Sequence, residues 1–232
     1  MSGEDWKRNF SNTQVNILAG GIENYNQILN LQRDLNQKVN ENESSAYILI
    51  CEHEDVYTCG IHTEHIDSRL KDPVRVERGG SITFHGPGQL VAYYVMNMKH
   101  LHTNILGIID AAHKSEIKLL EQMGLPGSEP RLGKETGVWI GGKKIASTGF
   151  AIRMNSTFHG TALNITTDLK KFQLINPCGF DSGIMTSFHE ITGKNYSMDI
   201  VKEMFIQIVI ESFAIENYNV GKISEQLSGT AP

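Results

Sequence analysis

Residues 136–154 read TGVWIGGKKIASTGFAIRM, two apolar runs of strand-forming residues joined by Gly141-Gly142. A two-residue loop between such runs makes an antiparallel hairpin, because both turn positions need positive φ and glycine takes it without steric cost. A third extended run, TFHGTALNI at 157–165, continues the pattern. This part of the chain is therefore committed to antiparallel sheet.

Helices are expected on either side of it. From Glu23 to Val39, the residues Tyr25, Ile28, Leu31, Leu35 and Val39 recur at spacings of three and four, the stripe of an amphipathic helix. A second helix is expected from about Ile105 to Met123, with Gly124 at its C-terminal end and Pro126 beyond. A third runs from about Met198 to Phe213, with Ser197 placed as N-cap. Ala46–Cys51 reads as a buried strand, and residues 74–98 as extended segments broken at Gly79-Gly80 and Gly86-Pro87-Gly88. Residues 168–192 are mixed, and Gly221–Pro232 reads as a frayed tail. The expected class is α/β (α+β), a mixed sheet packed with helices. Residues 1–232 form one domain, with about 17–213 as its ordered core.

Totals narrow the function. Of 232 residues, 40% are hydrophobic, enough for one sizeable core, and no apolar run is long enough to span a bilayer. The net charge of −5 argues against a general nucleic-acid binder. The N-terminus MSGEDWKRNFSNTQ lacks the apolar stretch of a secretory signal, and its early Glu4 and Asp5 are unlike an organellar presequence. Three cysteines, an odd number, fit free thiols in a reducing compartment. Cys51, His53, Cys59, His62 and His65 have the composition of a zinc site but not its paired spacing, so core and loop roles are preferred and no metal is expected. Zinc-protease, phosphate-loop and Gly-x-Ser-x-Gly signatures are absent from the sequence, and no cofactor is expected.

Two residues stand out as chemistry. Cys178 lies between Pro177 and Gly179, in a turn that can present its sulfur to a pocket. A neighbouring ammonium would favour its thiolate. Lys144 is a candidate for that ammonium because it follows the Gly-Gly turn on a hairpin strand. Lys143 should then face the opposite way. By spacing alone an ordinary solvated lysine is the commoner reading.

Five segments in order, EHEDVYTCG (52–60), RGGSITFHGPGQLVAY (78–93), GVWIGGKKIASTG (137–149), FHGTALNITTDL (158–169) and INPCG (175–179), resemble the lipoyl(octanoyl) transferases. The resemblance covers about Ile17 to Phe213. It implies the mixed sheet shared with biotin and lipoate ligases. It also implies octanoyl transfer from octanoyl–acyl carrier protein to a lysine of lipoyl domains, in 2-oxoacid dehydrogenase complexes and the glycine cleavage H protein. By resemblance Cys178 is the acyl-thioester nucleophile and Lys144 the general acid/base. The substrate would meet Arg78, Gly79, Gly80, Ser81, Ile82, Thr83, Phe84 and His85. It would also meet Ser147, Thr148 and Gly149 on the hairpin, and Gly160, Thr161 and Ala162 on the strand after it. His159, Gly86 and Gly88 would support them. Tyr94, Thr148, Thr161 and His62 depart from the family's usual residues. Thr148 and Thr161 lie in substrate segments, so acyl-chain length is the property they touch.

The chemistry suits the residues. A thiol can accept an acyl group and release it again, and splitting the transfer lets two large partners use one site in turn. Glycines at 79, 80, 86 and 88 would let the acyl chain lie against backbone, with Arg78 and His85 as polar anchors. Between Arg131 and Arg153 there are five basic residues (Arg131, Lys134, Lys143, Lys144, Arg153) and one acidic (Glu135). That is five minus one, a local +4 suited to an acidic carrier protein. An ATP-dependent lipoate or biotin ligase and a non-catalytic acyl-binding module are the alternatives. The Pro-Cys-Gly turn and HGPGQ favour transfer over ligation, and having both Lys144 and Cys178 argues against a binding module. The compartment expected is mitochondrial for a eukaryotic source, which a slight likeness to animal members favours, and cytoplasmic for a bacterial one.

Overall fold

The computed structural model describes residues 5–41, 45–70, 72–175 and 182–228. A 3-10 turn over Asp5–Asn12 leads into β1 (Gln14–Glu23), α1 (Tyr25–Glu41), β2 (Ser45–His53) and β3 (Val56–Cys59). Then come β4 (Val74–Arg75), β5 (Ile82–His85), β6 (Gln89–Val95), α2 (Ile105–Gln122) and β7 (Glu129–Arg131). The hairpin is β8 (Gly137–Ile140) and β9 (Lys143–Arg153), followed by β10 (Ser156–Asn164). The chain ends with α3 (Phe188–Thr192), α4 (Met198–Ser212), β11 (Tyr218–Lys222) and α5 (Ile223–Ser228).

The turn of the hairpin has the expected form, with φ of 56° at Gly141 and 76° at Gly142. Eight strands form one sheet in the order β11-β1-β2-β6-β10-β9-β8-β7. β1 is parallel to β2 and β11, and every other pair in this sheet is antiparallel. A smaller sheet, β4-β3-β5, stands beside it. β6 is central, and all seven of its residues are buried. Its alternation splits the core. Leu90, Ala92 and Tyr94 pack in the cluster that holds Ile108, Ala112 and Leu119 of α2 and Phe205 of α4. Val91, Tyr93 and Val95 pack with Ile28, Leu31 and Leu35 of α1 and Ile223 of α5. The sheet is thus covered on both faces, which is why β6 reads as a continuous apolar run.

Three expectations change. The tail from Gly221 is not frayed through its whole length, because Tyr218–Lys222 pairs with β1 and Ile223 is buried against α1. The N-terminal turn is anchored as well, through Trp6 and Phe10 packed on Phe213. Short segments like these have too few residues to show periodicity, so one or two large apolar anchors decide them. Ser197 does precede α4, but its side chain makes no cap hydrogen bond. Among the described residues no helix is long and apolar enough to cross a membrane.

Candidate active site

Antiparallel pairing of β10 with β9 aligns the expected substrate segments: Gly160 opposite Gly149, Thr161 opposite Thr148, and Ala162 opposite Ser147. The loop from Arg78 lies over them, with Gly79 N–H donating to Phe150 O at 2.9 Å. A Cβ at Gly149 would come within 3.1 Å of both Arg78 Cδ and Gly79 O, so this close approach requires glycine. Between loop and sheet runs a narrow inner pocket. It is lined by Arg78, Gly79, Gly80, Thr83 and His85 from the loop side, and by the six β9 and β10 residues just paired. It opens into an outer groove of about 1100 Å³ lined by Ser81, Ile82, Ile105, Ile109, Phe150 and Ile175 among others.

Not every expected residue faces this space. Phe84 is buried in a separate cluster, edge-on to Phe172 with ring centroids 5.6 Å apart. Gly86 and Gly88 serve the corner rather than an acyl chain. A Cβ at Gly86 would meet the Phe84 ring at 2.5 Å, and one at Gly88 would meet Thr166 Oγ1 at 2.4 Å. Gly88 has φ of 80°, its N–H donates to Glu52 Oε2 at 2.9 Å, and its carbonyl accepts from Ile165 N–H, Thr166 N–H and the Thr167 hydroxyl. Arg78 braces the loop: its guanidinium donates to Thr58 O and Oγ1 at 2.7 and 2.8 Å, and to Gly79 O and Ser81 O at 3.1 and 2.8 Å.

The histidines of the pocket are neutral. Burial pushes His85 down to about 3 and His53 to about 4. Hydrogen bonds then fix their tautomers. Gln89 Nε2 donates to Phe84 O and Asn164 Oδ1, which leaves Gln89 Oε1 to accept from His85 Nδ1 at 2.7 Å. His53 Nδ1 donates to Glu23 O at 3.0 Å, and its Nε2 accepts from the Tyr93 hydroxyl at 2.7 Å. Tyr25 stacks on His85, the rings 5.8 Å apart. His159 lines the pocket with φ of 61°, and burial with the nearby Arg78 charge lowers it to about 3.

Lys144 and Lys143 part as the strand period requires. Lys143 is exposed and Lys144 is only 3% exposed. The Lys144 side chain passes over Gly137, where a Cβ would meet its Cε at 2.6 Å, and its Nζ lies 5.8 Å from the centroid of the Trp139 ring. Met185 forms a parallel bridge with Lys144, and Thr186 N–H donates to Lys144 O at 2.9 Å. Cys178, with its neighbours Pro177 and Gly179, lies outside the described residues. The described chain before it ends at Ile175, on the groove wall, and the chain after it reaches Lys144.

Several polar residues escaped the sequence reading. His113 of α2 is held at about 4 by burial, and its Nε2 lies 2.8 Å from Thr148 Oγ1. One turn on, Glu116 is 1% exposed, and burial raises its carboxyl to about 8 despite the opposing effects of Thr161 and the Lys144 charge. Tyr94 and Thr161, two of the departures from the family's usual residues, adjoin this carboxyl. A signal existed: His113 and Glu116 occupy the apolar phase of an otherwise apolar helix face.

Comparison with known proteins then decides the family. The lipoyl protein ligase A/B catalytic domain matches residues 24–210. A probable octanoyltransferase 2 of Picrophilus torridus is 41% identical over 198 residues, 85% of this chain and 79% of that one. An octanoyltransferase of Thermoanaerobacter sp. is 35% identical over 210 residues, covering 86% and 90% of the two chains. The chain belongs to the lipoyl(octanoyl) transferase family. It is an acyltransferase family, and an octanoyltransferase of Bdellovibrio bacteriovorus, 34% identical over 82% of this chain and 95% of its own, is a further relative. In fold it is similar to lipoate-protein ligase A bound with ATP (TM-score 0.69, 15% identity, covering 94% of this chain and 91% of that one). It is equally similar to a putative lipoate protein ligase from T. acidophilum with bound lipoic acid (TM-score 0.69, 15% identity, 94% and 92%). These named relatives lend no support to a mitochondrial location.

Proposed function

We propose that this acyltransferase takes an octanoyl group from octanoyl–acyl carrier protein onto Cys178 and passes it to the target lysine of a lipoyl domain. The reading takes residues 1–232 as one catalytic domain. The observation that carries it is Lys144, a lysine buried on the strand whose Ser147–Gly149 stretch lines the pocket and bridged to the segment that follows Cys178. As ammonium, Lys144 stabilises the Cys178 thiolate. The thiolate attacks the donor thioester carbonyl, the tetrahedral intermediate collapses, and the carrier thiol leaves with a proton from Lys144. In the second half the acceptor lysine amine attacks the Cys178 thioester, neutral Lys144 takes the amine proton, and Cys178 leaves as the thiolate as the amide forms, which restores the ammonium–thiolate pair. Both halves exchange one acyl bond for another, so no nucleotide is consumed.

Burial keeps His85 and His159 weakly basic, which favours Lys144 as the base in this reading. The acyl chain runs in the inner pocket, along walls that Gly79, Gly80, Gly149, Gly160 and Ala162 help to form. The donor docks at the groove mouth on a smaller positive rim than the sequence total implies. Lys144 is inside, and Arg131 is paired with Glu129 at 2.7 Å and Glu135 at 3.3 Å. The acceptors are lipoyl domains of 2-oxoacid dehydrogenase complexes and the glycine cleavage H protein, and the protein works in the compartment they occupy.

Incubation of the protein with octanoyl–acyl carrier protein and an isolated lipoyl domain, without ATP or magnesium, tests the reading. Transfer to one lysine of the lipoyl domain is expected. Transfer only from free octanoate with ATP and magnesium would instead make this a ligase, in keeping with the nucleotide bound to its fold relative.

A further inference from the structure

We infer that Asn164 is a positioning residue for the reaction: its carboxamide fastens the segment that follows Cys178 to β10, next to the strand that carries Lys144. Asn164 ends β10, fully buried, and pairs in register with Gln89 at the start of β6. Its Oδ1 accepts from Gln89 Nε2 at 2.9 Å, which orients the amide and leaves Nδ2 to donate to Thr186 O at 3.0 Å. The other side of the same peptide residue faces Lys144, with Thr186 N–H donating to Lys144 O at 2.9 Å. Residue 186 is therefore held from two sides, by a side chain of β10 and by the backbone of β9.

The chain of contacts is continuous. It runs from His85 Nδ1 to Gln89 Oε1, from Gln89 Nε2 to Asn164, from Asn164 to Thr186, and from Thr186 to Lys144. One end is in the inner pocket and the other is the backbone of the proposed base. A carboxamide suits the node because it accepts on one atom and donates on the other. An apolar residue of the same shape offers neither, and would remove one of the two Gln89 Nε2 bonds and the bond to Thr186 O. Without Nδ2 the segment leading back to Cys178 would be tied to β9 by backbone contacts alone, and the spacing of thiol and amine would loosen.

The inference rests on the proposed pairing of Cys178 with Lys144. Among the described residues, the groups that face Lys144 include His113 and Glu116 of α2 and the Trp139 ring of β8, and none of these three bonds to Asn164. Replacing Asn164 therefore leaves the local charges as they are. Asn164→Leu and Asn164→Ala are to be compared with wild type and with Lys144→Met, each first shown to be folded by its circular dichroism. The readouts are the pH dependence of Cys178 alkylation and the single-turnover rate of octanoyl loading. The expected result is a raised alkylation pKa and loading slowed about tenfold in the folded Asn164 variants, a shift in the same sense as that of Lys144→Met. Gln89→Met, which removes the bond that orients the Asn164 amide, should raise the alkylation pKa in the same sense but by less. If Lys144→Met shifts the alkylation pKa and a folded Asn164 variant keeps the wild-type value and rate, the positioning role is wrong. If Lys144→Met shifts nothing, the pairing itself is wrong, and the role of Asn164 falls with it. If both Asn164 variants fail to fold, Gln89→Met decides alone: a raised alkylation pKa there supports the role of Asn164, and an unchanged one overturns it.

Discussion

The register of two lysines illustrates how much a single strand period can decide. Lys143 is exposed and Lys144 is buried beside Trp139, so in the proposed mechanism the buried lysine is the one assigned to the thiol. Lys144→Met should slow both octanoyl loading and transfer to the lipoyl domain by at least about a hundredfold, the usual span of general acid–base catalysis, whereas Lys143→Met should leave both near wild type. Single-turnover kinetics on the two variants measure this. The glycines of 79–88 separate in the same manner. Gly88→Ala must place a Cβ against Thr166 at positive φ and should cost about 1–3 kcal/mol of unfolding free energy by denaturant titration. A Cβ at Gly79 would touch only Phe150 O, at 3.7 Å, so Gly79→Ala should cost less than about 1 kcal/mol. The motif was legible in the sequence as glycine-rich. Which glycines face a substrate and which face Thr166 or Phe84 depends on tertiary contacts that no local pattern encodes.

Among elements, α2 carries the feature least visible in sequence. The helix expected from about Ile105 to Met123 is present, and the structure ends it at Gln122. Periodicity marks apolar positions and passes over a polar residue among them, so Glu116 and His113 vanish into the stripe. Glu116 holds its proton in the folded chain up to about 8, whereas an unfolded glutamate loses it near 4.5. The unfolded state then binds fewer protons across that window, so this group makes stability fall as pH rises from about 4.5 to 8. Glu116→Gln should flatten that slope, which chemical denaturation at several pH values would reveal; an unchanged slope would show that Glu116 is ionised in the fold. β1, α4 and the signature corner meet in a second buried polar cluster. Lys202 Nζ lies 3.4 Å from Glu52 Oε1 and donates to Gly20 O at 3.0 Å, while Glu52 holds Gly88 N–H. Glu52→Ala leaves the Gly88 N–H unmet but leaves Lys202 paired with Asp199 at 3.1 Å, so it should destabilise the protein by about 1–3 kcal/mol. Lys202→Met together with Glu52→Gln should cost less than Glu52→Ala alone.

At the scale of the whole molecule, two helical layers on a mixed sheet bring together segments that are far apart in the chain: 78–85, 147–149, 160–162 and 185–186. The antiparallel hairpin and the three long helices were readable because each spans enough residues to show its period. β1, β7 and β11 were not, since their pairing partners and not their own residues make them strands. Buried neutral histidines give the assembled molecule an acid limit. His53, His85, His113 and His159 stay unprotonated to about 4 or below, while the unfolded chain takes up protons from about 6.5 downward. These groups therefore contribute stability that is present above pH 6.5 and lost as pH falls toward 4, and the melting temperature should drop across that range. The account as a whole turns on one covalent species. Intact-mass spectrometry after incubation with octanoyl–acyl carrier protein alone should show a single added octanoyl group, labile to hydroxylamine and absent from Cys178→Ala. An adduct that survives in Cys178→Ala but is lost in Cys59→Ala, or octanoyl transfer to the lipoyl domain by Cys178→Ala at the wild-type rate, would contradict it.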